Sequence, residues 1–513
     1  MITDARNLWE LVELRATLTP RAPLLYDEDR VTTCAELRVR AEEAAAGLHA
    51  LGVGEGTAVS WQLPTWTEAA VLVLALARLG AVQNPMLPSY REREVGFIAR
   101  QTGCELLIVP TEFRGFDHLG LARSVAAGID GMQVLVADRQ LPSGDPALLP
   151  PVPVGRQHPA DDPVRWIFYT SGTTADPKGA QHTDRTIMAT GLGYCDRVQA
   201  TDADISLVAF PFTHIGGIII GIYQSLLSGA GAVMIETWTP QLSTELIARH
   251  GITFPNGAPA IHTLLLEEAR AHPEAYATVR AFPSGGAQKP PQLHEDLKRI
   301  NDHCVGIVSG YGLTEMPILA QSGIGDPDES LRDAEGRPMA GVEVRIVDRE
   351  LHDVAFGEVG ELLARGPQMM RGYVDPSLNE AAFAPGGWLR TGDLARLDSF
   401  GAVVIAGRLK DVIIRKGENI SAKEVEDLLF GHPGVADVAV LGLPDPDLGE
   451  RCCAVVVARE GSVPPTLPGV FDFLKATGLM VQKIPEQVEL VDEIPRNASG
   501  KVLKNELRER FGG

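Results

Sequence analysis

Apolar and polar positions along this chain follow two periods in turn. Short unbroken apolar runs such as Leu106-Leu107-Ile108-Val109, bounded by Glu105 and Pro110, predict parallel strands buried on both faces. Longer segments carry helix-start signals. Thr33-Cys34-Ala35-Glu36 reads as a capping box that opens a helix running to about Gly52. Thr65-Trp66-Thr67-Glu68 opens another, and its body Ala69-Ala70-Val71-Leu72-Val73-Leu74 stays apolar almost all round as far as Gly80. A helix without a polar face predicts burial between sheets. Helix and strand signals alternate, which predicts an α/β architecture.

Residues 141–163 are rich in Pro, Gly and Asp and predict a surface connection. Further on, a strand-like Ala402-Val403-Val404-Ile405 ends at Gly407-Arg408-Leu409-Lys410-Asp411. The chain then restarts with Val412-Ile413-Ile414 and a capped helix at Ser421-Ala422-Lys423-Glu424. The expected division is 1–407 and 408–513, the second part being long enough for a small α+β domain.

Length supports that division, since 513 residues exceed what one hydrophobic core serves. Lys and Arg total 46 against 67 Asp and Glu, a net charge of −21. That balance excludes non-specific binding to nucleic acid or anionic membranes, but not a local cationic pocket. Cysteines at 34, 104, 195, 304, 452 and 453 show no C-x-x-C pair and no zinc spacing, so free thiols in a reducing compartment are expected. The opening residues lack a signal-peptide apolar region, and the longest apolar run, residues 69–77, is about half of a membrane span. The expectation is a cytoplasmic protein with no transmembrane segment and no nucleic-acid partner.

Chemistry concentrates in five segments. The first is Tyr169-Thr170-Ser171-Gly172-Thr173-Thr174-Ala175-Asp176-Pro177-Lys178-Gly179, directly after the apolar Trp166-Ile167-Phe168. Small hydroxylated residues leave backbone N–H groups open, and beside a lysine such groups suit a polyphosphate at the edge of a sheet. Composition alone leaves a second reading open, a flexible polar turn, because the spacing is not that of a P-loop. The second is Tyr311-Gly312-Leu313-Thr314-Glu315 after an apolar Val305-Gly306-Ile307-Val308, and the third is Trp388-Leu389-Arg390-Thr391-Gly392-Asp393-Leu394. The fourth is Gly407-Arg408-Leu409-Lys410-Asp411, and the fifth Pro495-Arg496-Asn497-Ala498-Ser499-Gly500-Lys501.

In this order and spacing the five segments resemble the adenylate-forming enzymes: acyl-CoA synthetases, firefly luciferase and the adenylation domains of peptide synthetases. The resemblance runs over nearly the whole chain. It implies a large N-terminal domain of stacked sheets and helices that binds ATP and the acid, followed by a small mobile α+β domain hinged near Lys410. It also implies an AMP-forming acyl-CoA synthetase using ATP, Mg²⁺ and CoA. Such an enzyme joins a carboxylate to ATP, releases pyrophosphate, and passes the acyl group from the adenylate to a thiol.

The resemblance carries roles to matching positions. Thr170, Ser171, Gly172, Thr173, Thr174 and Lys178 match the loop that closes over the β- and γ-phosphates. The family usually has Gly where this chain has Ala175, which penalises a positive φ there by about 1 kcal/mol. Tyr311 matches the residue against adenine, Thr314 the one at the α-phosphate, and Glu315 the Mg²⁺ ligand. Gly285, Gly286 and Ala287 match the stretch lining the adenine and acyl pockets. Asp393 matches the ribose ligand with Arg408 beside it, and Lys501 the cation between the carboxylate and the α-phosphate. A swing about Lys410 brings in Gly417, past which pantetheine threads. His214, in Pro211-Phe212-Thr213-His214-Ile215-Gly216-Gly217, matches a segment bordering the acyl pocket, where it gates the pocket or flanks the carboxylate.

Residues 254–260 and 285–287 are the expected acyl wall, mostly small and apolar with no basic residue to pair a second carboxylate. That predicts a medium-chain, branched or cyclic monoacid. Alternatives are a ligase that loads an acyl-carrier protein and an oxidase of the luciferase kind. The sequence leaves the oligomeric state open, a dimer being one option.

Overall fold

The computed structural model describes residues 1–27, 30–155, 158–170, 177–287, 289–415, 418–446, 448–497 and 500–512. Among these residues the architecture is mixed α/β, with a seven-stranded sheet, three five-stranded sheets, a four-stranded sheet and a two-stranded ribbon. The seven-stranded sheet holds four parallel strands: Ala58–Trp61, Val82–Pro85, Leu106–Val109 and Gln133–Val136. Trp166–Thr170 extends this run through Gln83 opposite Trp166, and Lys178–His182 and Gly372–Tyr373 then add antiparallel strands at one side.

The capping box at Thr33 forms as expected. The Thr33 side chain accepts from the Glu36 N–H, the Glu36 carboxylate answers the Thr33 N–H at 2.9 Å, and the helix runs Cys34–Ala50. The second helix starts differently. It runs Thr67–Leu79, and Thr65 is not its cap; the Thr67 N–H and hydroxyl instead donate to the Asp27 carboxylate, at 3.3 and 3.0 Å. A carboxylate from a distant strand does the capping, which no local motif encodes. The expected burial is observed, since Ala69 through Leu76 are all buried and the helix packs between the sheets on either side of it. The described residues of 141–163 form an irregular strap, and among them are two short 3₁₀ turns, Pro146–Leu148 and Pro159–Asp161.

The chain after residue 411 has a core of its own. Ile413, Val425, Val438, Val440, Val456 and Leu474 pack on one side of the sheet, and Ala439, Leu441, Val455 and Leu507 on the other. Alternate residues of the Val435–Asp445 strand serve opposite faces, and both faces are covered by helices, which explains its buried apolar run from Val438 to Leu443. Ser421 caps Ala422–Phe430 as expected, accepting from the Glu424 N–H at 3.3 Å. Among the described residues no helix is long and apolar enough to cross a membrane.

Candidate active site

Trp166–Thr170 and Lys178–His182 pair in register, with Lys178 opposite Thr170, so they close the loop of the first segment like the two legs of a hairpin. The Trp166–Thr170 strand is interior to the sheet, and the loop leaves from its C-terminal end rather than from an outer edge. Ser171, Gly172, Thr173, Thr174, Ala175 and Asp176 lie outside the described residues. Along Lys178–His182 the strand period places Lys178, Ala180 and His182 on one face. Tyr373 stands opposite Ala180 on the neighbouring strand, and the Lys178 ammonium lies 5.6 Å from the centre of the Tyr373 ring.

That face meets the tip of a second hairpin. Ile307–Leu313 and Met316–Gln321 run antiparallel, leaving Thr314 and Glu315 at the turn. His182 Nε2 lies 2.8 Å from the Thr314 carbonyl. Burial pushes the His182 imidazole down to about 4, so it is neutral at pH 7, and because a carbonyl only accepts, Nε2 carries the proton. The Tyr373 phenol donates to Glu315 Oε1 at 2.6 Å, and the Met370 N–H donates to the Glu315 carbonyl at 2.8 Å. Gly312 is required by close approach: a Cβ there would sit 2.2 Å from the Ile318 nitrogen. Ile318 itself has φ of +43°, an unusual conformation for a β-branched residue.

Asp393 is 2% exposed and clamped from two sides. The Tyr311 phenol donates to Oδ2 at 2.5 Å, and Arg408 Nε meets Oδ1 at 2.8 Å, from the adjacent strand where Arg408 stands opposite Asp393. Burial, and then the Asp393 charge, push the Tyr311 phenol well up, so it remains a donor. A carboxylate has about four acceptor sites, so the clamp leaves some for a ribose diol.

Lys501 comes to this place on a tight turn. Its N–H donates to Asn497 Oδ1 and its carbonyl accepts from the Asn497 N–H, both at 2.9 Å. Gly500 abuts the expected acyl wall, its would-be Cβ lying 3.5 Å from the Ala258 Cβ. Burial, then the Arg408 and Lys410 cations, push Lys501 down to about 8 despite Asp393 and Asp411. Burial and Arg408 also lower Lys410. Asp411 pairs with Arg508 at 3.0 Å, which ties the Lys504–Phe511 helix to the same segment.

On the acyl side, the Tyr194 hydroxyl donates to Asn256 Oδ1 at 2.6 Å and both residues are buried. Gly285 ends the Phe282–Gly285 strand opposite Gly310, Gly286 follows with φ of +80°, and Ala287 is half-buried. His214 caps the short Ile215–Ile218 helix, its Nδ1 accepting from the Gly216 N–H at 3.1 Å. Burial pushes His214 down to about 4, so the neutral ring carries its proton on Nε2.

Tyr311, Asp393, Arg408, Lys410 and Lys501 are thus linked by a hydrogen bond, an ion pair and mutual charge effects, while Thr314 and Glu315, at the tip of the hairpin that carries Tyr311, are held by His182 and Tyr373. Gly417 lies outside the described residues, so its expected role has no geometry here. Sequence reasoning missed three residues. His182 and Tyr373 hold the hairpin tip, and the alternation of Lys178, Ala180 and His182 was the available signal for the first. Lys289 is buried, and its ammonium donates to Ser309 Oγ and the Ala334 carbonyl, both at 2.6 Å.

Among the described residues no three His, Cys, Asp or Glu side chains converge as a metal cage. Glu315 alone fits Mg²⁺, which is held by one or two carboxylates together with substrate phosphates. The phenol bond to Oε1 orients that carboxylate.

Residues 12–374 match the model of the AMP-binding enzymes, and residues 424–501 match that of the AMP-binding enzyme C-terminal domain. A medium-chain fatty-acid–CoA ligase of Escherichia coli is 32% identical over 467 residues, covering 90% of this chain and 82% of that protein. A salicyl-AMP ligase / salicyl-S-ArCP synthetase of Mycobacterium tuberculosis is 33% identical, covering 93% and 85%. The crystal structure of ATP-bound MatB from Rhodopseudomonas palustris superposes with a TM-score of 0.88 at 28% identity, covering 98% of this chain and 99% of that one.

Proposed function

The chain belongs to the AMP-binding enzyme family, the adenylate-forming enzymes, and we propose that within it the protein is an AMP-forming acyl-CoA synthetase for an apolar carboxylic acid. One observation carries the reading: Lys501 lies close enough to Asp393 and Arg408 to feel their charges, while its neighbour Gly500 abuts Ala258 of the expected acyl wall.

In the first half-reaction a carboxylate oxygen of the acid attacks the α-phosphorus of ATP, and the bond to pyrophosphate breaks. Two anions must approach, so their repulsion has to be offset where charge develops. A preorganised ammonium contributes several kcal/mol at such a point, and Lys501 takes this role. Asp393, fixed by Tyr311 and Arg408, grips the ribose hydroxyls. Thr314 holds the α-phosphate, and Lys178 meets the β- and γ-phosphates. Glu315 would hold Mg²⁺, which when bound would neutralise phosphate charge. In the second half-reaction the CoA thiolate attacks the acyl carbonyl carbon and AMP leaves. Residues 408–513 turn about Lys410 for this step, withdrawing Lys501 and presenting the segment of Gly417.

The lining of the expected acyl wall supports this acid class. No cation lies among residues 254–260 or 285–287, and the nearby Lys289 ammonium is already bound by Ser309 and Ala334. An apolar monoacid suits this lining, as the likeness to the medium-chain ligase also suggests. The salicyl-AMP ligase, equally similar, favours a second reading in which an aromatic acid is adenylated and passed to a carrier protein.

Release of AMP from ATP, measured over straight, branched, aromatic and alicyclic acids with and without CoA, separates the two. CoA-dependent AMP release with an alkyl or alicyclic acid is expected. Release confined to aromatic acids and indifferent to CoA would establish the second reading instead.

A further inference from the structure

The geometry points to Tyr373 as a positioning residue for the metal–nucleotide end of the site, one side chain that sets both the Glu315 carboxylate and the Lys178 ammonium. The inference rests on the proposed role of Glu315 as the Mg²⁺ ligand and deepens it.

Tyr373 lies on the outermost strand of the seven-stranded sheet, opposite Ala180 and diagonal to Lys178. Diagonal neighbours on one face of an antiparallel pair are within reach of a long side chain and a ring. The Lys178 ammonium accordingly lies 5.6 Å from the ring centre, a cation–π distance. The other end of the same side chain donates to Glu315 Oε1 at 2.6 Å. Tyr373 is 7% exposed, so the ring cannot swing away without opening the cluster of Ala180, Met316, Met370 and Leu389 around it. A carboxylate has only acceptor oxygens, so the phenol O–H is the donor and Glu315 the acceptor.

The chemistry needs these two charges held at a fixed spacing. Lys178 serves the terminal phosphates and Glu315 the cation that those phosphates share. A site whose charged groups are aligned before the ligand arrives avoids the cost of ordering them on binding. Tyr373 aligns both from a strand that is hydrogen-bonded to the phosphate-loop strand itself, the Val374 N–H donating to the Gly179 carbonyl at 2.8 Å.

The test is ATP binding to the full chain by calorimetry, over a range of Mg²⁺ concentrations and with EDTA. Tyr373→Phe keeps the ring and removes the hydroxyl. A lost hydrogen bond to a charged acceptor corresponds to roughly tenfold or more, so the half-saturating Mg²⁺ concentration should rise about tenfold while ATP affinity in EDTA stays within about twofold. Tyr373→Leu removes the ring too and should weaken ATP binding in EDTA as well. Glu315→Gln separates the inference from its premise. If Glu315→Gln leaves the Mg²⁺ dependence unchanged, the metal role of Glu315 fails and the inference fails with it. If Glu315→Gln shifts the dependence and Tyr373→Phe does not, the inference alone is overturned. In the Glu315→Gln background Tyr373→Phe should add little. A full additional factor there would assign Tyr373 a merely structural part and overturn the proposal.

Discussion

The Thr314 carbonyl accepts from His182, a residue 132 positions away in sequence. Replacing His182 with Ala leaves a half-buried carbonyl without this donor, which costs about 1–3 kcal/mol. The expected result is a lower melting temperature together with weaker ATP binding, and His182→Gln, which keeps a side-chain N–H, should recover part of both. Calorimetry of ATP binding checks the functional half. Gly312 offers a sharper case, because a methyl at that position has backbone 2.2 Å away rather than a yielding side chain. Gly312→Ala should cost about 1–3 kcal/mol by overpacking, read as a drop in unfolding midpoint. His182 and Tyr373 were not legible in the sequence. The motif around Tyr311 and Glu315 declared its chemistry through residue types, but its supports are ordinary residues on other strands. His182 and Tyr373 become meaningful only when the sheet brings them to the tip.

At the scale of elements, local signals succeeded where the partners are local. The Thr33 and Ser421 caps formed because each cap and its N–H lie three residues apart. The helix at Thr67 was misread at its start because Asp27 caps it from a distant strand. The turn carrying Lys501 belongs to this scale too, since Asn497 holds the Lys501 backbone N–H and Gly500 abuts Ala258. The Lys501 shift is downward to about 8, so the side chain loses its charge as pH rises through that value, well below the ordinary lysine range. If the ammonium is needed for adenylation, kcat/KM for acid-dependent pyrophosphate exchange should fall above about pH 8. Lys501→Arg, which cannot deprotonate there, should remove that limb whatever its effect on the maximum rate.

At the scale of the molecule, the five segments were readable as a set because their order and spacing along the chain resemble those of the adenylate-forming enzymes. The division of labour between sheets was readable from apolar runs, whereas the contact of Gly500 with Ala258 was not, since nothing in either segment encodes it. The buried histidines make a global prediction. His118, His182, His214 and His262 are each pushed down to about 4 by burial, so the folded protein binds fewer protons than the unfolded chain between there and the ordinary value of 6.5. Stability should be fully present above about pH 6.5 and decline as pH falls toward 4. Thermal melts across that window check this, and a midpoint indifferent to pH there would contradict it.

The central claim is that Lys501 acts on the first half-reaction from within the Asp393–Arg408 site. The most direct measurement compares wild type and Lys501→Ala in acid-dependent ATP–pyrophosphate exchange and in thioester formation from supplied acyl-adenylate and CoA. Loss of a cation that stabilises developing charge predicts an exchange rate about a hundredfold lower or more, with thioester formation largely retained. Exchange that survives in Lys501→Ala, or an equal loss of both half-reactions, would contradict the account.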